Sequence, residues 1–256
     1  MFVHNIDPVM LSIGPFHIRY YGLVYAIGFL AGMLYLKKLS QKGEISITQE
    51  QVYDLIFWLI IGGVGGGRLG HVLLYEPKYY LSNPLKIFAV WEGGMSIHGG
   101  LIGATLVLYW FSKKNKVEFL ELSDALVLPA SIMLAFGRVA NFINGELVGR
   151  TTTVPWAVKF KGYDGYRHPS QIYEAFKNVV IFSILCTAKR TWKGMKKGTL
   201  TWGFLLLYGV FRFIVEFWRQ PDWEWLGLSG GQWYSIPTAL IGSIMLWKTY
   251  ARRTKK

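Results

Sequence analysis

Arg138, Asn141 and Glu146 stand within nine residues of one another in AFGRVANFINGEL, directly after a long apolar run. Arg138 and Asn141 are three apart, so a helix places them on one face. Glu146 follows Gly145, where the chain can turn and bring the carboxylate back. A second group has the same character: Tyr208, Arg212, Glu216 and Arg219 succeed one another at spacings of four, four and three. On a helix of 3.6 residues per turn these form one polar stripe. A guanidinium at a membrane edge can grip a phosphate through two donors, so both groups point to anion handling. Glu216 can close an internal salt bridge with Arg212 and also orient it toward a ligand. His98, followed by Gly99 and Gly100, stands where backbone can approach a substrate closely. A lone histidine at a helix start is more often structural, but beside intramembrane arginines an imidazole suits acid–base or positioning work. No Ser–His–Asp arrangement, HExxH or paired Cys/His spacing stands out, so neither a metal nor a cofactor is expected.

The elements that must position these residues are apolar. Of the 256 residues 52% are hydrophobic, mean hydropathy is +0.28, and 11 Trp, 15 Tyr and 16 Phe suit interfacial aromatic belts. A helix needs roughly 20 residues to cross a bilayer. Seven stretches approach this: Tyr20–Leu36, Tyr53–Leu74, Ser96–Phe111, Ser123–Phe142, Ile172–Ala188, Leu200–Phe217 and Trp233–Tyr250. Arg68, Lys177 and Arg212 fall inside them, with Arg138 near the end of the fourth, and charges there are functional suspects by default, costing from about 2.5 to well above 10 kcal/mol at the bilayer centre. Pro129, in the fourth stretch, can kink the helix and free a carbonyl. GGGRLG, Gly65–Gly70, matches a dinucleotide-binding pattern, but no βαβ unit surrounds it; small residues for close helix contact are the better reading. The single cysteine, Cys186, excludes an internal disulfide framework and reads as passive packing.

Charge sets the expected orientation. If each stretch crosses once, sixteen of the 28 basic residues fall on one side, in the loops after the first, third, fifth and seventh stretches; the last group is Lys248, Arg252, Arg253, Lys255 and Lys256. Nine fall on the other side. Basic residues accumulate in the cytoplasm, which puts the N-terminus outside and the C-terminus inside. The net charge of +13 is then a topology signal that also attracts anionic lipid, with no nucleic acid required. The N-terminus has no basic n-region and is broken by Asp7, Pro8 and Pro15, unlike a cleavable signal peptide. The expected fold is an all-α polytopic membrane protein with about seven transmembrane helices, one domain over residues 1–256. A small extracytoplasmic head is expected at residues 143–171, between helices 4 and 5, where Thr151–Thr153, Val154 and WAVKF have strand composition. Residues 75–95 suit a segment lying along the membrane surface.

These residues alone describe an anion-handling polytopic membrane protein: an enzyme, an anion transporter or a noncatalytic lipid-binding factor. The missing internal repeat and the clustering of polarity toward one side count against a transporter.

The stretch GRVANFINGELVG (Gly137–Gly149), with HGGLIG and YGVFRFIVEFWR, closely resembles the bacterial prolipoprotein diacylglyceryl transferases. SIGPFHIRYYGLVYAIGF and HPSQIYEA are similar to the same family, so the resemblance covers nearly the whole chain. It implies transfer of the diacylglyceryl group of phosphatidylglycerol to the lipobox cysteine thiol of a preprolipoprotein signal peptide. A thioether would form and glycerol 1-phosphate would leave, as the first step of lipoprotein maturation in the bacterial inner membrane, with the site facing its outer side. It also implies that Arg138 and Arg212 hold the phosphate and stabilise the departing monoester. Asn141 and Glu146 would order the site, Gly149 would permit the turn that closes it, and His98 and Tyr21 match positions implicated in activity. Tyr208 and Glu216 would share the Arg212 face. A free thiol has a pKa of about 8.5 and reacts as the thiolate. The substrate thus brings its own nucleophile, with His98 or Glu146 as the expected base. The implied partners are phosphatidylglycerol, the preprolipoprotein and membrane lipid.

Overall fold

The computed structural model describes residues 2–14 and 16–251. Pro15 and the basic Arg252, Arg253, Lys255 and Lys256 lie outside the described residues. Among the described residues, seven helices of 17 to 26 residues form on the seven apolar stretches. They are α1 (Tyr20–Gln41), α2 (Gln49–Leu74), α4 (Ile97–Lys114), α5 (Phe119–Asn144), α6 (Ser170–Thr191), α7 (Thr199–Val215) and α8 (Gly230–Ala251). A short α3 (Pro77–Ser82) and two 3-10 turns occupy the segment after α2.

Most helices outrun their apolar stretch because polar residues continue or cap them. Helix α2 starts at Gln49 since the Thr48 hydroxyl accepts from the Gln51 N–H (3.2 Å) while the Gln51 side chain accepts from the Thr48 N–H (2.9 Å), a capping box. Four helices, α1, α2, α5 and α7 with its extension to Trp218, are long and apolar enough to cross a membrane. Helix α6 has the length, but Gln171, Glu174, Lys177 and Asn178 are buried along it and reduce its apolarity.

The chain forms two compact units, residues 33–125 and residues 1–32 with 126–256. In the first, α2 and α4 approach through glycines. A Cβ at Gly66 would lie 2.9 Å from Gly103 Cα, and one at Gly70 would lie 2.8 Å from Gly99 Cα. The GGGRLG segment is thus a small-residue helix contact. Arg68 is a structural staple, contrary to the suspicion its position raised. It is 4% exposed and donates to the carbonyls of Lys86 (2.5 Å), Ile87 (2.9 Å), Gly93 (2.5 Å) and Gly94 (3.2 Å), with its guanidinium 5.0 Å from the Tyr80 ring centre. Irregular backbone beside apolar helices must find internal partners, and one guanidinium supplies four.

In the second unit, α7 and α8 pack at Gly209, where a Cβ would lie 2.6 Å from Ala239 N. Helix α1 meets α5 at Gly28, against Met133. A small head is built from both ends of the unit. Strand β1 (Phe2–Val3) pairs parallel with β4 (Val158–Lys159), and Val148, Val158 and Phe160 form a core with Phe142 packed on it. Strands β2 (Val9–Ile13) and β3 (Phe16–Arg19) make a hairpin leading into α1. Thr151–Val154 makes only an isolated bridge, Thr151 with Arg167, although its composition suits a strand; Pro155 cannot donate to a ladder. A second hairpin, β5 (Glu224–Trp225) and β6 (Leu228–Ser229), turns through Leu226 and Gly227, both at positive φ.

Candidate active site

Helix α5 ends at a glycine in the left-handed conformation, Gly145 at φ +69°. The turn brings the Glu146 N–H onto the Asn141 carbonyl (3.1 Å) and its Oε1 within reach of two side-chain amides, Asn141 Nδ2 (2.7 Å) and Asn144 Nδ2 (3.2 Å). Asn141 is buried and also accepts from Arg138 Nη1 (3.3 Å), so one amide joins the arginine to the carboxylate. On α7, Arg212 Nη2 pairs with Glu216 Oε2 at 2.7 Å, and Arg219 Nε approaches the same oxygen at 3.4 Å. The polar stripe read from the spacing is present.

Both groups converge on a residue that spacing did not single out. Glu174, on α6, is fully buried. Its Oε1 pairs with Arg212 and with Arg219 Nη1 (3.1 Å), and its Oε2 pairs with Arg138 Nε (3.2 Å) and Lys177 Nζ (3.4 Å). Lys177 in turn lies over the Tyr208 ring, 3.9 Å from its centre, so Tyr208 borders the cluster. Four cations stand against two carboxylates, Glu174 and Glu216, an excess of two positive charges; Glu146, exposed and linked through Asn141, offsets one of them. Taking cations out of water is costly unless an anion joins them. Arg138 and Arg212 are the partly open members, with side chains 22% and 16% exposed. They are where an anion can be met.

The structure therefore gathers Arg138, Asn141, Glu146, Tyr208, Arg212 and Glu216 into one network. Tyr21 lies on α1 with its hydroxyl 3.3 Å from that of Tyr25. His98 is exposed in the first turn of α4, in the 33–125 unit. Gly149 has a different task from the one expected. The turn is made by Gly145 and by Leu147 at φ 55°, while Gly149 permits close backbone approach: a Cβ there would lie 2.5 Å from the Trp218 carbonyl oxygen and 2.6 Å from that of His168. Its N–H donates to His168 O (3.0 Å), and it bridges to Arg219, so it laces the head to the segment bearing one of the arginines.

Glu174 and Gln171 were not singled out by the sequence, and Lys177 stood there only as a charge inside an apolar stretch. Gln171, fully buried, donates from Nε2 to the Glu146 carbonyl (2.5 Å). The available signal was a run of Gln171, Glu174, Lys177 and Asn178 at near-helical spacing at the start of an apolar stretch. An arginine excess elsewhere in the membrane calls for such a carboxylate. Just before α6, His168 Nδ1 lies 3.0 Å from the Tyr173 hydroxyl, which also accepts from Trp156 Nε1 (2.7 Å). Burial holds the His168 imidazole below the usual histidine range.

Comparison with known proteins agrees with the resemblance. A family model described as prolipoprotein diacylglyceryl transferase matches residues 8–248. A protein of Geobacter sulfurreducens named phosphatidylglycerol–prolipoprotein diacylglyceryl transferase is 46% identical over 248 residues, covering 94% of each chain. One of the same name from Bordetella parapertussis is 48% identical over 248 residues, 93% of this chain and 94% of its own. Another, from Pseudomonas syringae pv. syringae, is 41% identical over 260 aligned positions, 97% of this chain and 95% of its own.

Proposed function

Because the chain belongs to the prolipoprotein diacylglyceryl transferase family, it is a multi-pass membrane transferase of lipoprotein biosynthesis that moves diacylglyceryl from phosphatidylglycerol to prolipoprotein, and we propose how its residues carry the reaction. The acceptor is the lipobox cysteine thiol. Its sulfur bonds to the glyceryl carbon, the carbon–oxygen bond to the phosphate breaks, and glycerol 1-phosphate departs with the electron pair. Arg138 and Arg212 hold the phosphate and stabilise the charge that grows on it, which is where preorganised donors contribute most. Asn141 keeps Arg138 and Glu146 in register, Glu216 and Glu174 aim the arginines, and Tyr208 and Tyr21 line the approach. Glu146 or His98 takes the thiol proton, and no metal or cofactor takes part.

Residues 1–256 act as one domain whose seven long helices all cross the bacterial inner membrane, with the N-terminus outside and the arginine cluster toward the outer face. The basic residues at the C-terminal ends of α1, α4 and α6, namely Lys37, Lys38, Lys113, Lys114, Lys189 and Arg190, with Lys42, Lys116, Lys193, Lys196 and Lys197 following them, support that orientation. The observation that carries the mechanism is the Glu174-centred network with its excess of guanidinium charge.

The test uses purified protein in detergent with phosphatidylglycerol and a lipobox peptide, following glycerol phosphate release together with the mass gain on the peptide. Wild type is expected to yield both products, and Arg138→Ala, still folded, to fall by about a hundredfold or more. An intact wild type that yields neither product overturns the reading in favour of transport or simple lipid binding.

A further inference from the structure

A groove of about 1040 Å³ opens in the head between residues 3–8 and 159–164, with Asn144 and Gly145 also lining it. The His4 N–H donates to the Lys159 carbonyl (2.9 Å), and the His4 ring packs against Phe142 and Phe160 at centroid distances of 5.3 and 5.2 Å. Gly145 admits the ring edge, since a Cβ there would lie 3.3 Å from His4 Cε1. Two atoms of these lining residues, His4 Nε2 and Asn144 Oδ1, are buried and have no hydrogen-bond partner in the protein; His4 as a whole is 7% exposed. Orphaned buried polar atoms are rare enough to need an explanation, and two on one groove fit a polar ligand.

Three further features narrow its chemistry. Asp7 and Asp164 balance Lys159 and Lys161, so the walls favour neither an anion nor a cation. Val3, Ile6 and Tyr163 add apolar surface. The volume is at the top of the roughly 300–1,000 Å³ typical of small-molecule sites, suiting several residues of extended chain. Beside the groove, β1 is the edge of its two-stranded sheet among the described residues, leaving main-chain groups for an added strand. Asn144 connects the groove to the site, because its Nδ2 donates to Glu146 Oε1.

We propose that this groove binds the extramembrane polypeptide of the prolipoprotein, the residues that follow its acceptor cysteine. The inference rests on the transferase reading and deepens it: the head recognises the protein substrate while the arginine cluster handles the lipid phosphate.

Two variants test it in the full-length protein in detergent, Asn5→Trp, which narrows the groove from an exposed position, and Lys161→Glu, which upsets its charge balance. Each is assayed with a peptide ending just after the acceptor cysteine and with one continuing about ten residues further. Anisotropy of the labelled long peptide is measured in parallel. The expected result is that KM and Kd for the long peptide rise about fivefold, as for loss of one hydrogen-bonded contact, while KM for the short peptide and for phosphatidylglycerol hold. Unchanged long-peptide values in both variants overturn the groove even if the enzyme turns over normally. A wild type that binds the long peptide in a groove-dependent way but transfers nothing leaves the groove standing and overturns the transferase reading.

Discussion

Arg138 and Arg212 lie on different helices, yet each binds one oxygen of the buried Glu174 carboxylate. The two arginines that the mechanism assigns to one phosphate are thereby both anchored to one fixed anion. Their side chains stay ordered before any lipid arrives, which removes part of the entropic cost of binding it.

Replacing Glu174 should cost both stability and activity. Glu174→Ala leaves three arginines and a lysine with Glu216 as the remaining buried carboxylate of the cluster, and breaking a buried pair costs about 3–5 kcal/mol. Glu174→Gln keeps the shape but removes the charge, so it should fold better than the alanine variant and still lose turnover at least tenfold. Thermal unfolding and transfer assays on both variants separate the two effects. Full activity in Glu174→Gln would show that the arginines need no charged anchor.

Gly149→Ala and Gly137→Ala, in the same thirteen-residue stretch, should behave oppositely. The added methyl at Gly149 runs into two backbone carbonyls that cannot rotate away, so destabilisation at or above the usual 1–3 kcal/mol of overpacking is expected, with activity lost as Arg219 shifts. Gly137 has open space around its Cβ and sits inside α5, where alanine is the better helix former by about 1 kcal/mol. Gly137→Ala should be neutral or stabilising with turnover kept. Equal melting temperatures for the two variants would contradict this.

The contrast shows what was legible beforehand. Features that depend on one helix and its own period were readable: the seven long helices, the Arg212–Glu216 pair and the small-residue face of Gly66 and Gly70. Features that depend on what a distant segment presents were not. Glu174 becomes the hub only because α5 and α7 bring Arg138 and Arg212 to it from 36 and 38 positions away. The resemblance gave Gly149 a turn, and the carbonyls of His168 and Trp218 that it actually admits are invisible in its local sequence. Arg68 stood as a functional suspect by position because backbone acceptors have no signature in the sequence.

Arg68→Ala should loosen residues 84–94 without touching the arginine cluster. Four carbonyls lose the guanidinium at once, the Lys86 carbonyl keeping the Ala89 N–H, and each such bond is worth about 1 kcal/mol net. Arg68→Lys should rescue little, because a point-like ammonium cannot reproduce the fork. Hydrogen exchange should quicken across residues 84–94 in both variants. Protection equal to wild type would mean the segment holds its shape without the guanidinium.

His168 should make the head acid-sensitive. Its imidazole is held neutral by burial, below the usual histidine value, while the unfolded chain takes up a proton normally. As pH falls through about 6.5 the unfolded state binds the proton first, so stability drops, and the loss is complete once pH passes below the lowered folded value. His168 Nδ1 and the Tyr173 hydroxyl share a hydrogen bond of 3.0 Å. The melting temperature should therefore fall more between pH 7.5 and 5.5 for wild type than for His168→Gln, whose amide can keep a hydrogen bond to Tyr173 but does not titrate. Identical slopes in the two proteins would remove His168 as the source of any acid sensitivity.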